Sequence, residues 1–493
     1  MVKRWAGIRL AGVLLALATG MVAATYPPAG GTGHVSAASI DRDFQPVVLT
    51  GGSLPDLQGL STSSIVVYAY DSSLSDWAAV PSQVDERADV TLQGQCVHTE
   101  PMFAQEDGLL DGDDELAFMA ADLGDLAPNG ILPPADAPTV YRIEVTDPRP
   151  GGGQGWGYVT ASASPPSPPA DYVSYTTTRS LPDQQSIVPE DTRVQTAGYQ
   201  AHFSGRWTMD ELAVEPGPDI LDKFRGTVYG SPDSPGETEA TWDGTSWTLY
   251  FKDGPVRALR VIRGAASGPA VTYTVEFYRS YVRWLTHLRV HAVPHIYRFF
   301  DYNANAIGMT YYRSTTPTGF TIDGIADDPG SDVGPWEEVT GAPGTLVLYL
   351  SLDTNAASPA FYYRDATGIY ERSGGDGNAY GNHGLHLPSV ADTDCGGPGN
   401  YLVGRTNIYV LPPNQGRVGD QYAELEENPM LVTVQALPAG PVGGIAELPD
   451  MAETALKAER SASTSVALVA ALATALAAGV IALGGAAWYV RRR

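Results

Sequence analysis

The chain has 493 residues, 56 of them acidic and 30 basic, so its formal charge is −26; 43% of it is hydrophobic. That apolar content can build a sizeable core and excludes wholesale disorder. The acid excess excludes a general nucleic-acid binder, which needs a basic footprint.

Lys3, Arg4 and Arg9 precede a run free of charge from Leu10 to Ala24 that ends in small residues, the pattern of a secretory signal peptide over 1–24. A small, polar leader covers 25–40. Residues 41–162 alternate with period two between turn signals, an N-terminal β domain. Within it Ser64 to Tyr70 and Val140 to Val145 read as strands, the second returning through Gly151, Gly152 and Gly153 along Gly157 to Thr160 as a hairpin. Residues 163–170 hold four prolines and read as an extended spacer, since proline cannot donate to a ladder. The larger region, 171–440, offers strands at Trp247 to Lys252, Val256 to Ile262, Val271 to Tyr278, Thr345 to Leu350 and Leu431 to Gln435, with a tight turn at Trp242 to Trp247. No repeat of 20–50 residues is evident, which disfavours a propeller or solenoid.

A stalk is expected over 441–464 and a membrane helix over 465–490. Nothing between Arg460 and Arg491 is charged. The 25 residues from Val466 to Val490 would span about 37 Å, enough for a hydrocarbon core of about 30 Å. Trp488 and Tyr489 suit the interface, and Arg491, Arg492 and Arg493 form a cytoplasmic tail over 491–493. The fold class expected is therefore all-β: a small N-terminal β-sandwich, a larger antiparallel β-sandwich and a single C-terminal transmembrane helix. Such a protein sits in the cell membrane with its bulk outside. Cys96 and Cys395 are the only cysteines. In an oxidising compartment they suit one disulfide, with two free thiols as the alternative.

Eleven carboxylates and no Lys or Arg lie between Arg87 and Arg142. Asp107, Asp111, Asp113 and Glu115 are oxygen donors on a Gly-containing loop, suited to a structural Ca²⁺; the alternative is a solvated acidic loop. Leu116 stands where an EF-hand needs glycine, so this is no EF-hand.

From Arg257 to Arg313 the balance reverses, with eight arginines against Glu276 and Asp301. Arg257, Arg279, Arg283 and Arg289, with Tyr281 and Trp284, form a candidate ligand-binding face for sugars bearing carboxylates, because guanidinium forks hold acids and aromatic rings stack on pyranoses. The alternative is that these arginines pair with the protein's own acids, above all the block from Asp323 to Glu338. His287, His291 and His295 recur every four residues, a strand spacing of about 13 Å that is too wide for one metal. His287, His291, Tyr278 and Arg283 are the catalytic candidates, since a Tyr or His base beside an arginine suits a polysaccharide lyase. No Gly-x-Ser-x-Gly, His-Glu-x-x-His, P-loop or Cys-x-x-Cys motif occurs.

Val80-Pro-Ser-Gln-Val-Asp-Glu-Arg87 and Asp111-Gly-Asp-Asp-Glu-Leu-Ala-Phe-Met-Ala120, with Gly254-Pro-Val-Arg257 and Gly308-Met-Thr-Tyr-Tyr312, resemble a recurring pattern in bacterial secreted β-sandwich proteins of unassigned function. More loosely the chain is similar to the galactose-mutarotase-like sandwich of polysaccharide-processing enzymes. The resemblance implies a β-sandwich over most of 45–440 and carries no catalytic set. The expected function is a surface-anchored protein that binds glycan or envelope material, such as a polysaccharide. A carbohydrate-active enzyme, lyase before hydrolase, and a passive structural surface protein are the alternatives.

Overall fold

The computed structural model describes residues 40–438 except 41, 43, 94–96, 135, 137, 138, 169, 182–188, 265–270, 369–375 and 394–400. The expected signal peptide, leader, stalk, membrane helix and tail lie outside the described residues, as do Cys96 and Cys395. Among the described residues no helix is long and apolar enough to cross a membrane. They belong to a single compact unit and are predominantly strand, in antiparallel sheets.

The largest sheet has nine strands in the order Trp247–Lys252, Ala258–Arg263, Thr272–Phe277, Tyr281–His287, Leu402–Leu411, Gly344–Thr354, Trp336–Gly341, Thr310–Arg313, Thr316–Thr321. Two sheets share a core with it. One has the order Glu237–Thr238, Leu221–Val228, Val293–Tyr302, Ala379–Val390, Ala360–Ala366. The other is a meander of Val173–Thr177, Thr192–Thr196, Tyr199–Phe203 and Met209–Val214. Ile262, Val275 and Leu346 of the large sheet pack in one cluster with Phe224 and Phe300 of the first and Tyr199 and Phe203 of the second. Burial alternates strictly along Tyr199–Phe203, as a strand with one covered face requires.

The N-terminal region forms two further layers. A five-stranded sheet runs Leu431–Pro438, Thr139–Thr146, Gln154–Ala161, Ile65–Asp71, Asp76–Ala79, and a three-stranded sheet runs Pro46–Thr50, Glu115–Met119, Ser82–Asp85. Val47, Leu49, Leu116 and Phe118 face the five-stranded sheet, meeting Ile143 and Val159. On the reverse side Val48, Ala117 and Met119 meet Val256, Tyr281, Val347 and Tyr409 on the outer face of the nine-stranded sheet. A strand covered on both faces needs an unbroken apolar run, and Leu116-Ala-Phe-Met119 supplies it. The hairpin expected around Gly151 to Gly153 forms, Thr139–Thr146 pairing with Gln154–Ala161.

Two details depart from the sequence reading. Leu431–Pro438, expected in the larger region, pairs along its whole length with Thr139–Thr146 and so completes the N-terminal sheet. Trp242 to Trp247 does turn, the Thr245 amide donating to the Trp242 carbonyl at 3.0 Å, but it follows a short helix, Glu239–Asp243, rather than a strand, and Trp242 is buried against Trp207 with ring centroids 5.5 Å apart.

Candidate functional site

A cavity of about 180 Å³ lies between the nine-stranded sheet and the five-stranded sheet that begins at Glu237–Thr238. Period two writes its lining. Leu348, Leu350 and Leu352 project from Gly344–Thr354, while Leu402, Gly404, Thr406 and Ile408 project from Leu402–Leu411. Across the gap stand Ile296, Arg298 and Phe300 of Val293–Tyr302, with Leu385 and Leu387 of Ala379–Val390. The gap is therefore walled by leucines on both sides, with one arginine set among them.

The Arg298 guanidinium lies over the Phe224 ring at 3.9 Å, with the Trp284 and Trp207 rings at 5.6 and 5.7 Å. Its Nη2 donates to the Trp207 carbonyl at 3.3 Å, and its Nη1 is sealed from water without an acceptor. Burial draws its pKa down to about 10, so it stays cationic at neutral pH. Glu239 and Asp243 are near enough to act on it electrostatically but are held elsewhere: Glu239 by the Gly226 amide and Arg225, Asp243 by the Trp207 amide and Thr208. Gly226, opposite Arg298 in the ladder, makes room for this packing; a Cβ there would lie 2.2 Å from the Trp242 ring and 3.0 Å from Arg298 Nη1.

At one end of the lining, Tyr229 is exposed, sits at φ +67° and shares a 2.6 Å hydrogen bond with His291 Nε2. A left-handed backbone is costly for a tyrosine and needs support from its surroundings. Glu337 also lines the cavity; burial pushes it up to about 8, against the opposing effects of the Tyr311 hydroxyl (2.6 Å) and Arg313. It therefore holds a proton at neutral pH. His383, its ring tilted against Tyr311 at 5.2 Å, is drawn down to about 4 by burial and is neutral. The charge fixed among the leucines at neutral pH is Arg298's. Glu237, of intermediate exposure, also lines the cavity. Shape, apolar surface and one half-buried cation make this cavity the candidate site.

The structure divides the candidates read from the sequence. Trp284 and His291 line the cavity. Arg257 is fully buried on the opposite, outer face of the large sheet, where Asp85 (2.8 Å), Glu115 (2.9 Å) and Glu276 (2.9 Å) hold it; the ligand role expected of it gives way to internal pairing. Tyr278 donates to Glu276 at 2.6 Å and Arg283 lies 3.6 Å from the same carboxylate, so two of the catalytic candidates do meet, with Tyr278 fully buried. Tyr281 packs beneath the three-stranded sheet, and Arg279 lies over the Tyr172 ring at 5.8 Å. His287 and Arg289 both hold Glu100; with Thr272 they bring that carboxyl down to about 2 although burial alone would raise it. His295 turns instead to His386 at 3.1 Å, so the three histidines serve three different sites. The acids that pair with the basic stretch are Asp85, Glu100, Glu115, Glu190 and Glu276, not the block from Asp323 to Glu338 expected to do so.

Of the metal candidates, Glu115 is committed to Arg87 and Arg257. Asp111 keeps a place in a cluster with Glu106 and Asp114, and Asp107 in one with Glu86 and Glu106, each with donor oxygens within 4.8 Å of one another. Such oxygen sets suit a hard cation. Asp113 is not in either cluster; hydrogen bonding to Asp111 raises its pKa. Sequence reading counted Arg298 in the basic stretch without selecting it. The available signal was the alternation Ile296, Arg298, Phe300, which puts one charge on an otherwise apolar face.

No family model matches the chain, and no curated protein matches it. Among solved structures it is similar to an alpha-mannosidase from Enterococcus faecalis V583, at 7% identity and a TM-score of 0.43, over 83% of this chain and 46% of that one. It is also similar to a 4-alpha-glucanotransferase from Thermococcus litoralis, at 10% identity and a TM-score of 0.25, over 45% of this chain and 37% of that one. The chain thus covers less than half of either enzyme.

Proposed function

We propose that this chain is a binding protein for envelope material, anchored at the cell surface by its 465–490 segment, with its ligand held in the cavity between the sheets. The observation that carries this reading is the cavity itself: about 180 Å³, walled mainly by leucine and aromatic side chains, with few polar groups. Pockets of that character hold small molecules by apolar contact and a few placed polar groups. The lyase alternative has less behind it, because the Tyr278 hydroxyl is fully buried and spent on Glu276, the carboxylate through which it meets the half-buried Arg283.

Titration with N-phenyl-1-naphthylamine, a neutral dye that brightens in apolar surroundings, tests the reading. The expected result is saturable uptake at one dye per chain, lost when Thr406→Trp fills the gap. Absence of uptake, or uptake indifferent to that substitution, overturns it.

A polysaccharide reading is favoured by a second observation. A shallow trough of about 500 Å³ beside the hairpin loop is lined by Trp156, Asp125, Gln154 and Arg149, a ring with carboxylate, amide and guanidinium groups of the kind that hold sugars. Glycan-array binding that disappears in Trp156→Ala would support it, and a blank array removes it.

A further inference from the structure

We infer that the occupant of the cavity is an anionic amphiphile, a medium-chain carboxylic acid whose head meets the Arg298 guanidinium and whose hydrocarbon lies along the leucines. This deepens the cavity reading above and rests on it.

The contrast among interior arginines is the starting point. Arg42, Arg225, Arg257 and Arg260 each hold a carboxylate oxygen within 2.9 Å, on Asp147, Asp301, Asp85 and Glu190 respectively. Arg298 has none within 4.0 Å among the described residues; its hydrogen bond to the protein is the long one to the Trp207 carbonyl. Taking a guanidinium out of water without an anion costs several kcal/mol, which the rings of Phe224, Trp207 and Trp284 offset only in part. Arg298 nevertheless lines the cavity and, taken as a whole residue, is of intermediate exposure.

The remaining chemistry narrows the ligand. Arg298 as the lining's one guanidinium, beside a protonated Glu337 and a half-exposed Glu237, suits a head of no more than one negative charge; a dianion would bring a second buried charge without a partner. A carboxylate fits the guanidinium fork and forms charge-assisted hydrogen bonds. The volume is slightly above that of an engineered cavity of about 150 Å³ that takes up benzene, leaving room for a hydrocarbon of roughly six to ten carbons. Glu237 and the Tyr229–His291 pair also line the cavity and mark its polar edge.

Calorimetric titration of the whole chain with decanoate, 1-decanol and decylamine reads the head group directly. Decanoate is expected to bind at least about tenfold more tightly than decanol, the worth of a charge-assisted hydrogen bond, with decylamine weakest. Arg298→Met should remove the decanoate preference while leaving decanol within about threefold of its native affinity, and Arg298→Lys should retain the preference. Equal binding of acid and alcohol to the native protein, or a preference that survives Arg298→Met, overturns the assignment even where the neutral dye is taken up. Failure of all three ligands together with the dye overturns the cavity reading as well. The acid-to-alcohol comparison on the native chain stands whether or not either variant folds.

Discussion

Two kinds of arginine packed against the nine-stranded sheet stand under opposite conditions: those that hold a carboxylate, with Arg260 on the inner face among them, and Arg298. On the outer face Arg257, Arg283 and Arg289 are taken up by Asp85, Glu100, Glu115 and Glu276, most of which arrive from the N-terminal layers. On the inner face Arg298, which crosses from the opposing sheet, stands among aromatic rings without a carboxylate. A basic stretch in a sequence thus says little about ligand binding until the pairing is known. The residue left unpaired in an apolar wall carries the information, and it was one of eight.

Replacing the paired and the unpaired arginine by methionine is the sharpest way to break the comparison. Arg257→Met leaves Asp85, Glu115 and Glu276 facing one another without their shared cation, and removing one partner of a buried charge network costs about 3–5 kcal/mol. Denaturant unfolding should show that loss; a variant as stable as the native protein would mean the network contributes nothing.

The pH dependence at Glu337 comes next in size. Its folded pKa, about 8, lies above that of a free glutamate, so its stabilising contribution is fully present below about pH 4.3 and is lost as pH rises through the folded value. Each pH unit inside that window removes about 1.4 kcal/mol. Glu338, raised to about 7 by burial while it accepts the Val418 and Gly419 amides, slopes the same way below pH 7. Glu337→Gln has no proton to lose, so the native chain should lose stability relative to this variant between pH 6 and pH 8. Parallel stability curves for the two proteins would show that Glu337 does not hold its proton.

The smallest effect is expected at Arg298 itself. Arg298→Met removes an uncompensated charge and keeps the apolar packing, so the ligand-free protein should be no less stable than the native one. A loss on the scale of Arg257→Met would make Arg298 a structural residue and erase the difference between the paired and the unpaired arginine.

Much of the fold was legible because side-chain alternation is local. The all-β class, the hairpin from Thr139 to Ala161 and the strands at Trp247–Lys252, Ala258–Arg263, Thr272–Phe277 and Gly344–Thr354 follow from period two and turn residues, and so does the cavity wall once Leu348, Leu350 and Leu352 are known to share a face. The candidate site was less legible. Trp284 and His291 were named for other reasons, a sugar face and an acid or base, and proved to share the cavity with an arginine that had not been singled out. The Glu239–Asp243 helix escaped because Trp242 turns inward under Gly226, a demand set by packing rather than by propensity.

The sequence alone determined which residues alternate, where strands end and how charge is distributed along the chain. Tertiary structure alone decided which charges meet. Arg257 finds Asp85 and Arg289 finds Glu100 across 172 and 189 positions of chain, and Leu431–Pro438 finds Thr139–Thr146 across nearly 300. Ion pairing falls off within a few ångströms, so it depends on how layers stack and leaves no local mark in the sequence. Nothing in the composition flanking Arg298 sets it apart from Arg257, Arg260, Arg283 and Arg289, which found acids; stacking left it among aromatic rings without one.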